Sequence, residues 1–256
     1  MNKIIDSRVF GGNFREAPSF GNNVIDFLSQ NDEVNVIGDQ IGDRWIPCTA
    51  KVNGRRKNGF VSKNILRDAE SNHKESLMRE SVRQWLRFDK GDGLEHIHPY
   101  SKYVGEFWSE LRIDLDGTDR DTPWSAVFIS WCVRKAGGYT GFKYSAAHSK
   151  YAHQAIRRKL DGVNGPFWGY RITEVKPSLG DIICRPRSGS RITYNFASEQ
   201  DAFKSHCDIV VRITKNYIVT IGGNLGHSVK RYNYSLNNRG FIAASTKVYA
   251  IMKNNL

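Results

Sequence analysis

The chain has 256 residues, with 38 Lys and Arg against 26 Asp and Glu, a formal net charge of +12 at pH 7 and an apolar fraction of 39%. That much apolar material can form one large core or two smaller ones, which excludes a disordered chain. The positive balance points to a polyanionic partner, whether nucleic acid, an anionic membrane surface or another anionic polymer, and no apolar run is long enough to expect insertion into a membrane.

The first residues, Met1 to Arg8, lack the apolar stretch of a secretory signal, so synthesis in the cytoplasm is expected. Over residues 9–67, short β-prone stretches at 13–18, 24–28, 33–38, 44–48 and 58–61 alternate with turn residues, a pattern that predicts a small barrel. Asn13-Phe14-Arg15 leading to Pro18-Ser19, then Gly42-Asp43-Arg44-Trp45 and Gly59-Phe60-Val61-Ser62, resemble the opening, central and closing strands of bacterial SH3-like domains. Phe14 departs from that pattern, and the loop at 53–57 is unusually basic. The expected organisation is an SH3-like domain at 1–67, a polar linker at 68–76 and a second domain at 77–256.

Met78, Val82, Trp85 and Leu86 recur at helical spacing, and after Pro99 so do Tyr100, Tyr103, Val104, Phe107, Trp108 and Leu111. Aromatic stripes of this kind are core, and no cofactor is expected from them. The acidic stretch 114–121 fails the calcium-loop template at its sixth and twelfth positions, which makes it a solvated turn. A helix should follow with Thr122 as N-cap and Pro123 at its first position, and Gly137-Gly138 should stop it. Ser125 then falls in the first turn. Another helical stretch covers 145–156, and from Gly180 onward the pattern turns to strands, so the second domain reads as α+β.

Ser125 in a first turn is ordinary capping chemistry by itself. Its helix, however, carries Val127, Phe128, Ile129 and Trp131 and must be buried, which leaves the first turn to face a cleft where backbone amides favour developing negative charge. His206 and Asp208 alternate on a strand and share one face, with Cys207 on the other. Asn224, behind two glycines and one strand later, could return beside His206 and hold its imidazole, with Asp208 as the competing orienter. His148, His206 and Asp208 could also make a metal triad, although no metal is expected. The histidines at 96 and 98 read as surface. Cys48, Cys132, Cys184 and Cys207 are far apart in sequence, form no C-x-x-C pair and read as buried free thiols.

From residue 77 onward, the blocks Pro123-Trp124-Ser125-Ala126-Val127-Phe128, Ser145-Ala146-Ala147-His148-Ser149, Leu179-Gly180-Asp181-Ile182-Ile183, His206-Cys207-Asp208-Ile209 and Gly222-Gly223-Asn224 resemble an uncharacterised bacterial domain family within the CHAP and NlpC-type superfamily of papain-like wall amidases. The resemblance implies a papain-like fold and hydrolysis of an amide in the peptide part of peptidoglycan. Ser125 would occupy the usual cysteine position, His206 that of the base and Asn224 that of the orienter, with Trp124, His148 and Ser149 touching substrate. It further implies a monomeric antibacterial effector or toxin with peptidoglycan as its partner. Such a protein would reach the wall through a specialised secretion system or phage lysis, with an immunity or secretion-system partner. Two rival readings are a catalytically inactive wall-binding module and a basic nucleic-acid binder, the second prompted by runs such as Arg55-Arg56-Lys57 and carrying no recognised nucleic-acid motif.

Overall fold

The computed structural model describes every residue except Ser7, Arg8 and Ser188; the last two positions of the Met1 to Arg8 start therefore lie outside the described residues. The chain divides into two compact units, Met1–Glu75 and Ser76–Leu256.

In the first unit, β1 (Asn2–Ile5), β2 (Gly11–Arg15), β3 (Val24–Ser29), β4 (Glu33–Val36), β5 (Trp45–Val52), β6 (Arg55–Ser62) and β7 (Leu66–Asp68) form one antiparallel sheet in the order β3-β2-β6-β5-β4-β1-β7. Ile5, Phe14, Leu28, Val34, Cys48, Val52 and Val61 bury together as its core. The basic stretch at 53–57 is not a loop. Asn53 and Gly54, at φ 48° and 79°, make a two-residue hairpin turn, and Arg55 already pairs with Val52. β1 and β7 add two strands to the five expected, and they pair with each other. No pairing among the described residues joins the edge strands β3 and β7, so where a small barrel was expected the strands form a sheet that is not closed by pairing.

The stretch expected as a linker is strand up to Asp68 and helix from Asn72. A buried ion pair accounts for the early helix start. Glu75 takes both terminal nitrogens of Arg67 at 2.5 and 2.9 Å and the Glu70 amide at 2.8 Å, which anchors the first turn.

The second unit contains most of α1 (Asn72–Arg87), then α2 (Tyr100–Ser109), α3 (Ser125–Ala136), α4 (His148–Asp161) and α5 (Tyr194–Glu199). Its antiparallel sheet joins β8 (Phe167–Tyr170), β9 (Ile182–Pro186), β10 (Ser205–Ile213), β11 (Tyr217–Gly222), β12 (Lys230–Ser235) and β13 (Ala250–Asn254) in the order β12-β11-β10-β9-β13-β8. This is a mixed α+β architecture. β10 is buried from Ser205 to Val211, as expected for a central strand covered on both faces.

Helix α3 is buried from Ser125 through Val133, in keeping with a sequence that is apolar nearly all round. It begins at Ser125 with Trp124 as N-cap, so Thr122 and Pro123 precede the helix instead of opening it. The reason is the anchoring of Trp124. Its indole Nε1 donates to the buried Glu95 carboxylate, and its ring lies against Phe88 and Phe107 at 5.9 and 5.8 Å, which holds its backbone at φ −98°, ψ 4°. Gly137, at φ 74°, terminates the helix as expected.

Candidate active site

Ser125 and His148 are the first residues of α3 and α4, and the two helix starts converge. Ser125 Oγ lies 2.7 Å from His148 Nε2, and both side chains are buried. On its far side, His148 Nδ1 is hydrogen-bonded to the hydroxyl of Tyr151, one turn further along α4 and also buried. Burial, followed by the neighbouring His206, Arg187 and Arg185, pushes the His148 imidazole well below the usual histidine range. It is therefore a neutral ring at neutral pH. Two helix N-termini meeting at one point also oppose a positive charge there and favour a negative one.

A second imidazole stands next to the first, the His148 and His206 rings being 5.3 Å apart between centroids. His206 does not bond to Ser125. Its Nε2 lies 2.8 Å from Asp208 Oδ1, on the same strand face two residues along. The fully buried Asp208 also accepts the Tyr234 hydroxyl at 2.5 Å. Arg185, directly opposite His206 on β9, sends its Nε to Tyr234 Oη at 3.0 Å and approaches Asp208 Oδ2 at 3.8 Å. Burial alone would raise the Asp208 carboxyl, but His206, Arg185 and Tyr234 together outweigh it and hold the group below the usual carboxylate range. Asp208 is thus a permanent anion at neutral pH, fixed at both oxygens.

Three expectations need correction. The partner of Ser125 is His148, not His206, because α4 begins at His148 and not at Ser145, which brings that ring to the start of α3. The partner of His206 is Asp208, not Asn224. Asn224 turns through a left-handed conformation at φ 53° with a half-buried side chain, and it is Gly222 that approaches the pair. A Cβ at Gly222 would lie 1.9 Å from Asp208 Oδ1, and one at Gly223 would lie 2.7 Å from the Trp124 ring, so both glycines are needed for close packing. Finally, Trp124 and Ser149 are buried and neither is among the walls of the cavity that reaches Ser125 and His148, so neither stands where a substrate in that cavity would touch it. Trp124 is a structural anchor for the start of α3.

A cavity of about 350 Å³ opens onto Ser125 and His148, with Pro123, Arg187, Phe203 and Ser205 among its walls. A hydroxyl bonded to a neutral imidazole at the mouth of such a cavity, beside free first-turn amides, is an arrangement for nucleophilic attack on an acyl group. Among the described residues no three His, Cys, Asp or Glu side chains are placed to hold a metal ion. Sequence reasoning missed Tyr151, Tyr234, Arg185 and Glu95. Only Arg185 left a trace, as the one charged residue of a strand otherwise apolar, next to its last position.

Residues 93–254, more than half of the chain, match the model of a family described as an uncharacterized protein conserved in bacteria, DUF2272. The chain belongs to this family. The match takes in Ser125, His148, His206 and Asp208 and leaves out the whole first unit. No curated protein matches the chain. Among solved structures, NlpC2 from Trichomonas vaginalis is similar over 99% of this chain and 72% of its own, at 11% identity and a TM-score of 0.32. A likeness that distant carries no argument about fold or function.

Proposed function

We propose that this DUF2272 member is a serine-dependent hydrolase that cleaves an amide in the peptide part of peptidoglycan. The observation that carries the reading is the 2.7 Å contact between Ser125 Oγ and His148 Nε2 at the wall of a cavity. Ser125 attacks the carbonyl carbon while its proton passes to His148 Nε2, and first-turn amides of α3 hold the oxyanion. With Nε2 accepting, Nδ1 carries the ring hydrogen and donates it to Tyr151. The C–N bond then breaks, and the departing amine takes the proton from His148. Water repeats the sequence on the acyl ester, releasing the acid and restoring Ser125. A buried imidazolium needs an opposite charge, and the ionised Asp208, reached through the neighbouring His206, supplies it. On this reading His206 is a positioning and charge-balancing residue, and the base is His148.

The peptide carboxylates of the wall suit a protein of net charge +12. The motifs of the first unit support an SH3-like module, a small β domain attached to the hydrolase. Purified sacculi incubated with the protein should release new amino groups and muropeptides resolvable by mass spectrometry. Ser125→Ala should abolish release in a protein that still folds, with a stability loss of about 1–3 kcal/mol from the buried imidazole left without its hydroxyl partner. Ser125→Cys should retain activity, since the helix terminus stabilises a thiolate as well. An Ala variant as active as the parent would remove Ser125 from the reaction and end this proposal.

A further inference from the structure

A second cavity in the same unit, of about 1010 Å³, lies along the other flank of β9. Every charged residue lining it is basic: Arg171, Arg185, Arg191 and Lys247. Tyr194 and Tyr232 line it too, the first under the Arg171 guanidinium at 4.2 Å and the second beside Arg185 at 5.2 Å. The side chains of Arg191 and Lys247 are exposed and meet no carboxylate among the described residues. Arg185 already faces Asp208 and Arg171 lies near Glu174, which leaves Arg191 and Lys247 as the cations with no acid facing them among the described residues, and an anionic ligand in the cavity would supply that charge. The volume reaches the upper end of the range of roughly 300–1,000 Å³ for ligand pockets, so an extended molecule fits it better than a single small anion.

The two cavities share a wall. Arg187 lines the smaller one and Arg185 the larger, two residues apart on and just past β9. Ser205, in the wall of the smaller cavity, is bonded at 2.7 Å to Tyr249, in the wall of the larger. Arg185 reaches in both directions, because the same side chain that lines the large cavity bonds to Tyr234 and approaches Asp208. We infer that the large cavity is a binding subsite for the free carboxylates of a peptide whose amide lies at Ser125, with the guanidinium groups of Arg171, Arg185 and Arg191 and the ammonium of Lys247 as the recognising groups. Planar guanidinium forks match carboxylates, and tyrosine faces cover the chain between them. This rests on the proposed hydrolysis of wall peptides and extends it to what distinguishes one peptide from another.

The test uses full-length Ser125→Ala protein, which cannot turn over, and isothermal titration with a wall stem tripeptide bearing free carboxylates, the same peptide with its carboxylates amidated, and a polyglycerol phosphate. The free-acid peptide should bind, amidation should weaken binding by about tenfold or more, and Arg191→Gln with Lys247→Gln should produce a similar loss with unchanged thermal stability. Equal affinity for acid and amide, or no effect of the double variant, overturns the subsite, as does tighter binding of the phosphate polymer than of the peptide. The two proposals fail separately. Hydrolysis that ignores the carboxylates and both substitutions removes the subsite and leaves the hydrolase, whereas carboxylate binding without hydrolysis of any wall substrate removes the hydrolase and leaves the subsite.

Discussion

Gly222→Ala is the sharpest probe of the histidine and aspartate pair, because it adds one methyl group where the structure has no room for one. The new Cβ would lie 1.9 Å from Asp208 Oδ1 and 3.1 Å from His206 Nε2. The first contact falls about 1.5 Å short of the 3.4 Å at which ordinary van der Waals contact begins. Asp208 cannot swing away freely, since Tyr234 holds its second oxygen and the residue is fully buried. Moving the carboxylate that far breaks the 2.8 Å bond to His206 and leaves a buried charge short of a partner, at a cost of about 3 kcal/mol. For a unit of this size that corresponds to a fall of about 6–12 °C in Tm. Circular dichroism melts would read the stability, and the imidazole resonances of His206 would report the lost bond. A variant that melts within about 2 °C of the parent, with those resonances unmoved, would refute the packing argument and the fixed geometry of the pair with it.

Other outcomes follow from the same geometry. His148, depressed below its ordinary value of 6.5, binds fewer protons folded than unfolded, so stability should rise with pH through the region just below 6.5 and fall as the solution is acidified; His148→Gln should flatten that slope in melts taken across the range. For the same reason the acid limb of kcat/KM should lie below the usual histidine range, and a limb at or above 6.5 would exclude His148 as the base. Tyr234→Phe removes a hydroxyl that favours the Asp208 anion, so the carboxylate should titrate higher, with a stability loss of about 1–3 kcal/mol in denaturant titrations. Expressed in a Gram-negative host, the protein should be tolerated in the cytoplasm and lytic when fused to a periplasmic export signal, with lysis lost in Ser125→Ala; equal toxicity in both compartments would argue against a wall substrate.

The parts of the fold carried by local pattern were readable in the sequence, and the parts carried by long-range packing were not. The apolar run after Ser125 announced a buried helix with one accessible end, and strict alternation placed His206 and Asp208 on a common face. The start of that helix was missed by two residues because Trp124 is held by Glu95, 29 positions away, which no capping rule can anticipate. His148 was recognisable only as part of a motif. Its bond to Ser125 depends on where α4 begins and on how two helices meet across 23 residues of sequence. Asn224 was placed beside His206 by hairpin reasoning that was correct about the approach of β11. It named the wrong residue, since the glycine, having no side chain, is what permits that approach. In the first unit, the Asn53-Gly54 turn signal was hidden by the three basic residues after it, which are strand.

The meeting of α3 and α4 at their N-terminal ends means that much of the site's electrostatic character belongs to the backbone. A field made of peptide dipoles is present whatever side chain stands at the helix start, and single substitutions do not remove it. The nucleophile is therefore an exchangeable part: hydroxyl and thiol would be polarised by the same environment, and a lineage could pass from one to the other without rebuilding its surroundings. The imidazole facing that position has no such freedom, because its neutrality is set by burial and by the side chains packed around it.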